Sequence, residues 1–237
     1  MVNVGSHNPF KIYMDTLNAI RRDLAPYLLK CGKHDYFEFD RNELFQERTK
    51  QFLIDNTGTW SKIINQLSPV LDESYGLSQG YFSAVKVFGQ ENQINVRAFL
   101  RVNTIYKSYC VYFEEALEIN GWYIRPKEYV ADNYKDEYEK AVRQLNENGM
   151  TEYLPENESA IFSPYLRLSP RNNQELLFQQ KSVEAMKLFP DYPCLLELKL
   201  LNSILNNIIS YDENGNIYHP TVFESLFNLN SRGLLEN

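Results

Sequence analysis

Residues 81–119 read YFSAVKVFGQENQINVRAFLRVNTIYKSYCVYFEEALEI, from Tyr81 to Ile119, and the spacing of their apolar positions decides the fold class. From Asn95 onward, Phe99, Val102, Tyr106, Tyr109, Phe113 and Leu117 recur at three- and four-residue steps. That is the period of an amphipathic helix of about five turns, and Asn120-Gly121 then supplies a stop. Upstream, Tyr81, Ala84, Val85 and Phe88 keep the same spacing, with Gly89 behind them. The competing reading is a central antiparallel sheet over 81–113. Val, Ile, Thr and Tyr are strand formers, and Gly89-Gln90-Glu91-Asn92 is a serviceable hairpin loop. A register sustained over about 20 residues favours the helix. The expected fold is therefore mainly α, an irregular helical bundle with one small antiparallel β-hairpin, against an α+β alternative.

The flanks extend the helical reading. Pro9 stands at the first position of a helix capped by Asn8, and Phe10, Met14, Leu17, Ile20, Leu24 and Leu28 mark its apolar face. Pro26 should kink it, and Gly32 should end it. Asp40 and Glu43 resemble a capping box ahead of Phe45 and Phe52, with Gly58 beyond the helix end. Thr59 then caps a separate short helix through Trp60, Ile63, Ile64 and Leu67 that Pro69 closes. Downstream, Asp132 caps a helix with Tyr134, Tyr138, Val142 and Leu145 inward, ending at Asn148-Gly149. Another helix follows Asn173 and runs to Leu188. The apolar run from Pro193 to Ile209 reads as a central helix buried on more than one face. Asn214-Gly215, between Ile208–Tyr211 and Ile217–Tyr218, is the strongest hairpin signal in the chain.

Met150 to Arg171 carries Pro155, Pro164 and Pro170 among Glu, Asn and Ser, too punctuated for a long helix. It divides the chain into a helical body at 1–149, an arm or linker at 150–171, and a C-terminal helical segment with the hairpin at 172–237. Tyr153, Leu154, Ile161, Phe162, Tyr165 and Arg167 make this arm the candidate interface.

Composition narrows the function classes. The 237 residues carry 24 basic and 31 acidic side chains, a formal charge of -7, with 43% hydrophobic residues. A packed globule of one large or two small domains follows. The acidic balance disfavours nucleic-acid phosphates as the main partner. Arg97, Arg101, Lys107, Arg125 and Lys127 do interleave with Tyr106, Tyr109 and Trp122, a pattern able to stack on single strands, but the charge density is thin. Cys31, Cys110 and Cys194 are odd in number and far apart, which fits a reducing compartment such as the cytoplasm. Neither a leader at Met1 to Phe10 nor a membrane span is expected, since the longest apolar run is broken by Glu197, Lys199 and Asn202.

Reactive groups are sparse. Cys31 and His34 have ligand spacing and Asp35, Glu38 and Asp40 follow, yet a second Cys/His pair is missing, so a structural zinc site is not expected. Glu114, Glu115 and Glu118 place carboxylates on neighbouring helical turns, where they read as a solvated face. Cys110 reads as a small apolar residue beside Tyr109 and Phe113, and His219 as a hairpin end. No catalytic, cofactor-binding or metal-binding residue is assigned. Abundant tyrosine, 17 residues, suits protein contact, because Tyr buries area at small entropic cost.

The expected function is a non-catalytic structural or adaptor subunit of a multi-subunit assembly, such as a virus or phage particle, with protein partners and self-association. One alternative is an acidic inhibitor or immunity-type protein acting through Asp35 to Glu47. The other is an enzyme of unfamiliar type.

Overall fold

The computed structural model describes residues 9–31, 34–36, 43–78, 81–91, 94–148, 161–206, 208–211, 217–227 and 235–236. Its centre is a seven-stranded sheet, and this overturns the helical-bundle reading: the fold is α+β. Strands β3 (Glu73–Ser78), β4 (Tyr81–Glu91), β5 (Ile94–Asn103) and β6 (Ser108–Ile119) form a continuous antiparallel meander. Next to β6 lie β7 (Trp122–Ile124) at one end and β8 (Tyr165–Arg167) further along. The edge beyond β8 is β11 (Leu235–Glu236), which pairs in parallel.

The helical spacing at 99–117 is produced by a sheet buried on both faces. Successive side chains of a strand point to opposite faces. Ala98, Leu100, Val102, Val111 and Phe113 enter one core, whereas Phe99, Cys110 and Tyr112 enter the other. With apolar residues at both parities, three- and four-residue spacings arise without a helix. Asn120-Gly121 is a hairpin turn in place of a helix stop, because Ile119 pairs directly with Trp122 and both turn residues have positive φ, 49° and 85°. Gly89, at φ 87°, sits in a bulge inside β4, where the register shifts between Val87 and Gln90.

Helices cover each face. On one side, α2 (Glu43–Leu67) brings Phe52, Trp60, Ile63 and Leu67, and α4 (Asn173–Ala185) brings Phe178 and Ala185. Trp60 stacks on Phe82 of β4 at 4.7 Å between ring centroids. Gly58 and Thr59 do not end this helix. Its 25 residues run through them, because Phe52, Trp60, Ile63 and Leu67 lie on one continuous stripe against the sheet. The other face is covered by Leu17, Ile20 and Leu24 of α1 (Pro9–Leu24) and by Phe223, Leu226 and Phe227 of α6 (Val222–Phe227). Pro26 lies in a 3-10 turn, Ala25–Tyr27, directly after α1. Each large apolar side chain buried in this way contributes about 1.5–3 kcal/mol. A third core forms where Tyr138, Ala141 and Leu145 of α3 (Lys135–Asn148) meet Ile124, Val130 and Ile161.

Pro193 to Ile209 is not a central helix either. Its helical part is α5, Leu198–Leu201, and Cys194 is bridged to Tyr109 in the manner of a parallel strand. Backbone bonds from Tyr109 to Pro193 O and from Leu195 to Tyr109 O hold it there at 3.1 and 2.8 Å. The run is apolar on several faces because an irregular segment is wedged against the core beneath α1 and α6, which takes Leu195, Leu200, Leu201 and Leu205. A second, four-stranded sheet joins β1 (Leu29–Cys31), β2 (His34–Tyr36), β9 (Ile208–Tyr211) and β10 (Ile217–Tyr218), with β2 and β9 parallel. Residues 214 and 215 of the hairpin signal, Asn8, Gly32 and the Asp40 capping position lie outside the described residues.

Among the described residues, two helix starts show side-chain capping. Asn172, one residue ahead of the expected cap, accepts from Glu175 N at 2.9 Å and opens α4. Thr221 and Glu224 close a reciprocal capping box on α6, each accepting from the other's backbone N–H at 3.1 and 2.6 Å. Among the described residues, no helix is long and apolar enough to cross a membrane.

Candidate functional site

The three carboxylates at 114–118 do not converge. On a strand, Glu114 and Glu115 point to opposite faces, while Glu118 lies about 13 Å from Glu114 along β6. Glu114 accepts from Arg97 at 2.9 Å, and Glu118 accepts from Asn95 at 2.8 Å. Burial raises the Glu114 pKa, with Arg97 and Arg101 opposing it. Burial also pushes the Cys110 thiol well above its usual range and that of Cys194 up to about 11, so both stay protonated at neutral pH. His219 Nδ1 lies 2.7 Å from Ile208 O in a backbone contact. Cys31 and His34 are register partners in the β1–β2 hairpin.

The arm candidates fall into two groups. Tyr153 and Leu154 lie outside the described residues. Ile161 is buried in the third core, and partly buried Phe162 packs on Trp122 at 5.5 Å. Tyr165 stacks on Tyr129 with ring centroids 3.7 Å apart. Arg167, 1% exposed, is the centre of a buried ion network. Its Nε donates to Glu115 at 2.6 Å, and its two terminal nitrogens donate to both oxygens of Glu175 at 2.9 Å. Arg171 adds two bonds to Glu115 at 2.9 Å and contacts the Tyr129 hydroxyl. Every charge in this cluster is opposed by a partner, which makes it a clamp joining β6, β8 and α4.

The basic stripe dissolves in three dimensions. Arg97 is paired with Glu114, Lys127 with Glu139, and buried Arg101 donates to Phe227 O. Arg125 donates to Ser163 at 3.1 Å. Lys107 alone of the five lines a cleft of about 580 Å³.

That cleft is assembled from four separated segments. The end of α1 supplies Arg22 and Asp23, joined at 2.9 Å, and the 3-10 turn after it supplies Pro26 and Tyr27. Arg48 comes from the second turn of α2. The β5–β6 turn contributes Ile105, Tyr106 and Lys107, and the chain after α4 contributes Asp191 and Pro193. Asn103 shapes the turn: its Oδ1 accepts from Ile105 N and Tyr106 N at 2.9 and 2.8 Å while its Nδ2 donates to Leu226 O at 2.7 Å. Lys107 is held at φ 28°, the left-handed region that a lysine rarely adopts. Burial chiefly raises the Tyr106 pKa, with Asp23 adding to the rise and Arg22 opposing it, so this hydroxyl lies in the field of the Arg22–Asp23 pair. Positions 22, 48, 107 and 191 share no motif, and spacing alone could not have united them.

A smaller cleft of about 390 Å³ is lined by Val87, Asn95, Arg97 and Tyr123, among others. Its Arg97 guanidinium lies over the Tyr123 ring at 4.9 Å and is already paired with Glu114. Comparison with protein-family models, curated proteins and solved structures returned no match.

Proposed function

We propose that this chain is a non-catalytic structural or adaptor subunit that assembles with copies of itself or with larger protein partners, in the cytoplasm or in a virion. The supporting observation is the outward side of α4 and the turn after it. Phe178, Ser182, Ala185 and Met186 of this segment are buried toward the sheet. Leu176 and Val183 on one flank of the helix, and Leu177 and Leu188 on the other, are each between 37% and 44% exposed. Exposed apolar residues on both flanks of a helix offer area to another protein. Gln180, Lys181, Glu184 and Lys187 are interspersed with them, as at the rim of a contact that must also be compatible with water. Tyr153, Leu154 and Phe162 belong to the same proposal as further contact residues.

The test is size-exclusion chromatography with light scattering on the full chain and on a Leu177→Asp, Leu188→Asp variant. An oligomer for the parent and a folded monomer for the variant, checked by circular dichroism, are expected. A parent that stays monomeric at high micromolar concentration, or an oligomer indifferent to the two substitutions, overturns the reading.

A further inference from the structure

We propose that the cleft between α1, α2 and the β5–β6 turn is a binding site for a small phosphate monoester carrying an aromatic ring, the class to which nucleoside monophosphates belong. The inference is independent of the outward face of α4. Its first support is charge. Arg22, Arg48 and Lys107 face Asp23 and Asp191 in one concavity, three cations against two carboxylates in a chain whose formal charge is -7. Arg22 is neutralised by Asp23, whereas neither Arg48 nor Lys107 is ion-paired with a carboxylate among the described residues. Two such cations suit one phosphate group of charge near −2. The carboxylates would repel a polyphosphate and can accept from sugar hydroxyls.

The second support is the backbone at Lys107. A turn residue at φ 28° would be at ease as glycine, yet a lysine stands there, and Asn103 holds the turn that presents it. Strain of this kind persists where the surrounding structure enforces it, and it clusters at binding and catalytic sites. The third is the remaining wall. Tyr27 and Tyr106 line it with aromatic side chains and Pro26 and Pro193 add apolar lining, within about 580 Å³, a volume in the range of small-ligand pockets.

The experiment is isothermal titration of the full chain with adenosine monophosphate and with inorganic phosphate, repeated on Lys107→Gly and Arg48→Ala. Saturable binding of the nucleotide is expected, with each variant weakening it at least ~10-fold, the scale of one charge-assisted contact. Lys107→Gly should also melt at or above the parent temperature, because glycine relieves the positive φ, so lost binding is separable from lost folding. Arg48 is exposed on a helix, and Arg48→Ala decides the matter should the turn variant misfold. Inorganic phosphate should bind at least ~10-fold more weakly than the nucleotide. No saturable nucleotide binding at millimolar concentration, binding indifferent to the substitutions, or phosphate binding as tightly as the nucleotide would overturn the proposal.

Discussion

Arg167 and Glu175 meet as a two-pronged pair, with both terminal guanidinium nitrogens 2.9 Å from the two carboxylate oxygens and the side chains 1% and 2% exposed. This pair ties β8 to the first turn of α4, and through Glu115 it reaches the centre of the sheet. Residues 161–171 are thereby part of the packed body.

Replacing Arg167 with Met should strand Glu175 as a buried anion and leave Glu115 with Arg171 as its one cationic partner. The expected cost is about 3–5 kcal/mol, because a broken buried pair leaves uncompensated charge behind. Urea unfolding followed by circular dichroism would read it as a lowered midpoint. A loss of under about 1 kcal/mol would mean that water reaches the cluster and the ions are not truly desolvated.

Gly58 lies inside α2 with no atom within 4 Å of where a Cβ would stand. Gly58→Ala should therefore raise stability by about 0.5–1 kcal/mol, since glycine loses more backbone entropy on entering a helix than alanine does. Thermal unfolding would register this as a higher Tm. A lower Tm would argue that the helix is broken at this position.

Glu114 makes stability depend on pH in an unusual direction for a carboxylate. Its folded pKa is raised above 4.5 by burial, with Arg97 and Arg101 in opposition. A raised folded value means that the folded state holds the proton more tightly than the unfolded chain. The stabilising contribution is thus full below 4.5 and is lost as pH rises through the folded pKa. The stability of the parent relative to Glu114→Gln should fall between about pH 4 and pH 7, as measured by urea unfolding at both values. A difference that grows toward neutral pH would instead assign dominance to the Arg97 ion pair.

Helices in contact with the sheet on one face were legible along the chain. Leu17, Ile20 and Leu24, and likewise Phe52, Trp60, Ile63 and Leu67, follow helical spacing and are buried as that spacing implies. The central region was not legible by period, because a strand buried on both sides has no polar parity to betray it. Asn120-Gly121 shows the same limit. The dipeptide announces positive φ, and positive φ serves a helix end and a two-residue hairpin equally well.

Local chemistry along the chain determined where turns could form, which helices were amphipathic, and how few cysteines and histidines were available. Whether 81–119 coiled or extended was decided by helices arriving on each side of the sheet, since burial of both faces favours strands whose neighbours supply every backbone hydrogen bond. Tertiary packing likewise paired Arg167 with glutamates 52 and 8 residues away and brought Arg22, Arg48, Lys107 and Asp191 to one cleft. Charges distant in the chain become a clamp or a site through the folded path between them, and no spacing rule encodes that path.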